Sequence, residues 1–147
     1  MPGTGTTGSG TAGPPEGHDG GSERAADVQR DRTRGILVEE RPWGRFQQFT
    51  TGEPVTVKVI SVEPGHRLSL QRHAHRSEMW HVVDGPVEVT VGERSWSVAP
   101  GEQVWVPAGA THRLGNPGDR TARVLEMAFG HFDEADIERL EDDYTRG

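Results

Sequence analysis

Residues able to ligate a metal cluster in two short segments, GHRLSLQRHAHRSEMWHVVDG beginning at Gly65 and GEQVWVPAGATHRLGN beginning at Gly101. In the first, five residues separate Gly65 from Gln71, His73 follows after one more, and Glu78 and Gly85 come later. The second places Pro107, Gly109, His112 and Asn116 at fixed intervals after Gly101. A divalent cation needs several N and O donors converging on one point, and alternate residues of a strand share a face, so Gln71 and His73 can point to the same side. Two further strands would bring Glu78 and His112. The chain has no cysteine, so imidazole, carboxylate and amide are the donors available. His75 lies on the same alternation, and two readings stand: a ligand in place of Gln71, or a rim or surface histidine once the chain turns toward Glu78.

Other polar residues sit where they could meet a substrate. Lys58 shares a strand face with Ile60 and Val62, so an inward lysine would need an anion, either a substrate oxygen or a structural partner. Glu126 shares its face with Val124 and Ala128, opposite Leu125, Met127 and Phe129. Either the bulky face fills the core and Glu126 is solvated, or the small face lines a pocket and Glu126 is a base. Arg76, two residues before Glu78, is a loop arginine or a clamp whose fork matches phosphate oxygens. Trp43, Trp80, Trp96 and Trp105 are assigned to packing, with Trp80 on the ligand face.

The elements that must position these residues are short strands. From Gly35 to Gly130, alternating runs such as VTVKVISV and VEVTV are punctuated by Pro64-Gly65, Pro100-Gly101 and Pro117-Gly118, the pattern of an all-β double sheet or jelly roll. Near the end, Asp133 is expected to cap a short helix, with Phe132 and Ile137 as a staple and Ile137, Leu140 and Tyr144 as its stripe. The acidic run DEADIERLEDD reads as that helix's solvated face. Residues 1–34 are rich in Gly, Thr, Ser and Pro and read as a disordered tail, leaving one domain at 35–147. No secretory pattern and no membrane-length apolar run is visible, which fits a cytoplasmic protein. A formal charge of -7 argues against nucleic acid as a partner.

The spacing of both segments resembles the paired motifs of cupins, and the chain from Arg41 to Arg146 resembles more narrowly the C-terminal domain of type II mannose-6-phosphate isomerases, the bifunctional isomerase and guanylyltransferase family. RPWGRF, VKVISVEPG, LSLQRHAHRSEMW, VPAGATHRLGNPG and EADIERLEDDYTR carry the resemblance in that order. It implies a cupin barrel, a divalent metal, commonly zinc with Mn, Co, Ni or Fe as alternatives, and Gln71, His73, Glu78 and His112 as ligands. It also implies a role for Arg76 in interconverting mannose 6-phosphate and fructose 6-phosphate, and a homodimer. The chain departs from the family pattern at Ala74, Met79, Ala128 and Thr145. Residues 1–34 contain no Gly-rich nucleotide loop, so guanylyl transfer is not expected of this sequence.

An aldose–ketose isomerase must move a proton between C1 and C2, for which a metal and a general base are the usual means. Two other classes compete: a cupin oxygenase, since two His and one Glu also bind non-haem iron, and a non-catalytic sugar-phosphate binding module. Gln71 as a fourth donor takes a position that dioxygen chemistry would need.

Overall fold

Alternation decides which half of each strand meets the core. The computed structural model describes residues 27–144; residues 1–26 of the expected tail and residues 145–147 lie outside the described residues. Eleven strands follow in order: β1 Leu37–Arg41, β2 Gly44–Gln48, β3 Thr56–Val62, β4 Leu70–Arg72, β5 Arg76–Asp84, β6 Val87–Val91, β7 Arg94–Val98, β8 Gln103–Val106, β9 His112–Gly115, β10 Ala122–Gly130 and β11 Glu138–Glu141. They form a four-stranded sheet, β3-β10-β5-β8, a five-stranded sheet, β11-β4-β9-β6-β7, and a separate β1-β2 hairpin. All the strand pairs are antiparallel.

The two large sheets close on one another as the cupin jelly roll. Val62, Trp80, Val82, Val104, Val106, Ala122 and Val124 from the first sheet meet Val87, Val89, Val98 and Leu114 from the second. Burying each such side chain stabilises the fold by about 1.5–3 kcal/mol. The four-stranded sheet is covered on its outer face as well. There Met79, Met127 and Phe129 pack beneath Ile36, Phe49 and Val55, which explains why β5 and β10 are buried on both sides. The choice left open for Glu126 is resolved: the bulky face has its own outer core, and Glu126 faces inward.

Turn glycines set the loop ends. Gly65, Gly101 and Gly109 all adopt left-handed backbone, at φ 77°, 88° and 83°. Asn116 ties the loop after β9, its amide donating to the carbonyls of Val62 and Arg120 while its oxygen accepts from the Gly118 N–H.

One expectation is corrected. The C-terminal helix is absent from residues 133–144: Asp133 closes a turn instead, its side chain accepting from Ala135 N–H, and Glu138–Glu141 adds a strand to the open edge of β4. Its acids find arginines there. Arg72 bonds Glu138, Arg113 bonds Glu141, and Arg67 bonds Asp143. Helical spacing of Ile137, Leu140 and Tyr144 was outweighed by an unpaired edge whose arginines match the acidic run.

Packed residues also occur before residue 35. Arg32 is only 7% exposed. It lies 4.4 Å over the Phe129 ring and bonds Glu53 and Asp27, within a short 3-10 turn, Arg32–Gly35, that Asp31 caps. Ser77 Oγ donates to the Val28 carbonyl. Large apolar residues are scarce in this segment, and a guanidinium over an aromatic ring provides the anchor.

Candidate metal centre

Three strands from both sheets deliver the donors. His73 directly follows β4, His112 opens β9 and Glu78 sits in β5, so the cluster lies between the sheets. One ligand atom from each of the three lies within 4.8 Å of the others. All three are buried, and Gln71 stands directly opposite His112 across the β4-β9 pair, half-buried on the same face. Its Oε1 accepts from Ser69 Oγ at 3.2 Å. His75 is exposed in the turn, so the reading of it as a ligand is set aside.

Backbone carbonyls fix both imidazoles. His73 Nδ1 lies 2.7 Å from the Asp136 carbonyl, and His112 Nδ1 lies 3.1 Å from the Ala110 carbonyl. A carbonyl only accepts, so each Nδ1 carries a proton and each Nε2 faces inward, where its unprotonated form can ligate. His112 Nε2 is buried with no hydrogen-bond partner. An orphaned basic nitrogen at the centre of a His-Glu-His cluster is costly unless something electrophilic meets it, so these residues fit a divalent cation.

The charge balance is consistent with that. Burial alone would raise the Glu78 carboxyl, but His73 at 3.2 Å, the nearby His112 and the Trp80 indole N–H together hold it down at about 2. Burial lowers His112 below the usual imidazole range against the pull of Glu78, so its neutral, ligating form is favoured. Glu126 behaves in the opposite way. Desolvation and the charge of Glu78 raise it to about 7, with Lys58, Arg76 and His73 opposing.

Arg76 is buried rather than looped out at a rim. Its Nε lies 3.5 Å from Glu78 Oε1, its Nη2 lies 3.3 Å from His73 Nε2, and its Nη1 donates to the Asp133 carbonyl. Lys58 stands beside Glu126 in register on β3, but its side chain is partly exposed and its ammonium pairs with Glu134 at 2.8 Å.

The structure gives three further contributors a role at the site, of which only Asp136 had no place in the sequence reading of the site. Trp80, assigned to packing, also donates to Glu78 Oε2 at 2.8 Å and meets His112 edge-on. Asp136 latches the metal strand: besides its carbonyl on His73, its carboxylate accepts from the N–H groups of Ala74 and His75, both at 2.9 Å. The Pro107-x-Gly109 turn holds His73 from the other side, Gly109 N–H donating to its carbonyl at 2.7 Å.

The family model for the mannose-6-phosphate isomerase C-terminal domain matches residues 29–142. The chain belongs to that family. Among relatives of the mannose-6-phosphate isomerase C-terminal type, the alginate biosynthesis protein AlgA of Pseudomonas aeruginosa is 40% identical over 80% of this chain and 24% of its own length. The xanthan biosynthesis protein XanB of Xanthomonas campestris pv. campestris is 44% identical over 72% of this chain and 23% of its own. Mannose-1-phosphate guanylyltransferase ManC of Salmonella typhimurium is 41% identical over 72% and 22%. The chain thus spans about a quarter of the length of these relatives. Among solved structures, the capsular polysaccharide assembling protein CapF from Staphylococcus aureus superposes with TM-score 0.56 at 25% identity, over 72% of this chain and 32% of that one.

Two departures from the family pattern now have places. Met79 faces the outer core, away from the ligands, whereas Ala128 is inward and stands next to Glu78 in register. Among the described residues no helix is long and apolar enough to cross a membrane.

Proposed function

We propose that this domain is a metal-dependent aldose–ketose isomerase acting on mannose 6-phosphate and fructose 6-phosphate. One observation carries the reading: a buried His73-Glu78-His112 cluster with an unpartnered nitrogen shares its interior with a carboxyl, Glu126, whose pKa is raised to about 7. Gln71, His73, Glu78 and His112 would hold the cation, zinc first, and the cation would polarise the sugar's carbonyl and hydroxyl oxygens. Glu126 is the group suited to carry the proton. As carboxylate it takes the proton from C2 of the aldose, and as carboxylic acid it returns it to C1, while the hydroxyl proton moves between the two oxygens. A pKa near the working pH serves both directions. Arg76 and Lys58 face the charge that develops on the sugar oxygens or the charge of the phosphate.

The family supports the substrate class, as does the similarity to mannose-1-phosphate guanylyltransferase ManC. We place the protein in the cytoplasm and take it to act as a homodimer. A coupled assay for fructose 6-phosphate tests the reading. Glu126→Gln should keep stoichiometric metal and lose at least about a hundredfold in kcat. Metal-replete wild type that converts no hexose 6-phosphate with any of several divalent ions would end it.

A further inference from the structure

Residues 132–136 form a short strap against Arg76 and Lys58. Phe132 lies between two cations, with the Arg76 guanidinium 4.6 Å and the Lys58 ammonium 4.9 Å from its ring centre. Arg76 also donates to the Asp133 carbonyl at 2.9 Å. Asp133 and Asp136 fix the strap's backbone, through the turn bond from Asp136 N–H to the Asp133 carbonyl and the carboxylate latch onto Ala74 and His75. Glu134 alone projects without a structural task. Its side chain is 73% exposed and its carboxylate rests on Lys58 Nζ at 2.8 Å. The Lys58 hydrogen bond and charge hold that carboxyl below its usual range, with a smaller pull from Arg76 and His73.

We propose that Lys58, with Phe132 and Arg76 behind it, forms the seat for the substrate's phosphate group, and that Glu134 is a place-holder carboxylate that the phosphate displaces. The inference rests on the sugar-phosphate reading above and deepens it. An exposed lysine–glutamate pair is weak and readily exchanged. A phosphate monoester brings nearly twice the charge of a carboxylate and more acceptor oxygens, so it competes well for the same ammonium. Glu134 can leave by rotating its own side chain, because the turn that carries it is held by other residues. Position also fits: Lys58 is the cross-strand neighbour of Glu126, so a phosphate held by Lys58 would leave the rest of the sugar to extend along that row toward the proton-carrying carboxyl. Glu134 would therefore act as a selectivity filter, since a neutral sugar gains nothing by displacing it.

The test is calorimetric titration of the full chain with inorganic phosphate, mannose 6-phosphate and mannose at pH 8, comparing wild type with Glu134→Gln and Lys58→Met. Removing the competing charge should tighten phosphate and mannose 6-phosphate by about two- to fivefold in Glu134→Gln while leaving mannose unchanged. Lys58→Met should weaken both anions and erase the effect of Glu134→Gln in the double variant. Glu134→Gln that binds phosphate equally or more weakly, or no phosphate binding in any form, overturns the proposal. The isomerase reading is judged separately by turnover. Tighter phosphate binding in Glu134→Gln without hexose phosphate conversion would sink that reading and leave this seat standing, whereas turnover with unchanged phosphate affinity would do the reverse.

Discussion

Glu126→Gln should make metal-free protein more stable at pH 8 and leave it nearly unchanged at pH 4.5. In the native fold the carboxyl titrates at about 7 against an ordinary value of 4.5, so between these two pH values the folded state keeps a proton that the unfolded chain releases. Stability from this group is therefore present at low pH and is lost as pH rises toward 7. The shift from 4.5 to about 7, at about 1.4 kcal/mol per unit, amounts to about 3 kcal/mol. For a domain of this size that is on the order of 10 °C in melting temperature. Two neighbours titrate as well. Glu78, depressed to about 2, contributes stability that is lost only as pH falls below 4.5, outside this window. His112, lowered by burial, pushes the other way below 6.5, which is why the difference between variant and wild type is the quantity to follow. Glutamine imitates the protonated carboxyl, so the difference curve should start near zero at pH 4.5 and climb through pH 7. Thermal melts of chelator-treated protein across pH 4.5–8 measure it. A flat difference curve would show that Glu126 is solvated and would remove it as the proton carrier.

Three more perturbations follow from the same geometry. Asp136→Ala should weaken metal affinity by about 10–100-fold with little change in melting temperature of the metal-free form, measured by competition with a chromogenic chelator; unchanged affinity would show that the latch does not orient His73. Arg32→Met should lose about 2 kcal/mol in urea unfolding, since it removes a desolvated cation from Phe129 and strands Glu53; a loss below about 0.5 kcal/mol would return the segment to the status of a dispensable tail. Gly130→Ala places a Cβ 2.5 Å from the His75 carbonyl oxygen at a φ of 101°, so it should destabilise by more than about 1 kcal/mol and loosen metal binding together, which unfolding and metal titration would both register.

How far the chain could be read by eye depended on how local each signal was. The strands around Val57, Val87 and Trp96, and the glycines at 65, 101 and 109, are legible because alternation and left-handed turns are properties of a few adjacent residues. The convergence of His73, Glu78 and His112 was legible for the same reason, since each stands at a fixed distance from a turn. Glu126 was ambiguous because two apolar cores, one on each side of its sheet, cannot be distinguished from one by alternation alone. The C-terminal segment was misread because its fate depends on Arg67, Arg72 and Arg113, residues remote in sequence that become its partners only when β4 and β9 are in place. Arg32 was invisible for a related reason, since its partner ring, Phe129, lies almost at the other end of the domain.

The carbonyl that orients His73 comes from Asp136, 63 positions along the chain. A site whose first histidine is aimed by so distant a residue cannot be assembled in a partial barrel, because β5, β9, β10 and β11 must all be seated before that carbonyl arrives. A cation would then be a late reporter of folding rather than its nucleus, tight binding appearing only after the slow, non-local strand pairings are complete. Metal uptake followed during refolding should therefore lag behind the burial of Trp80 and never precede it.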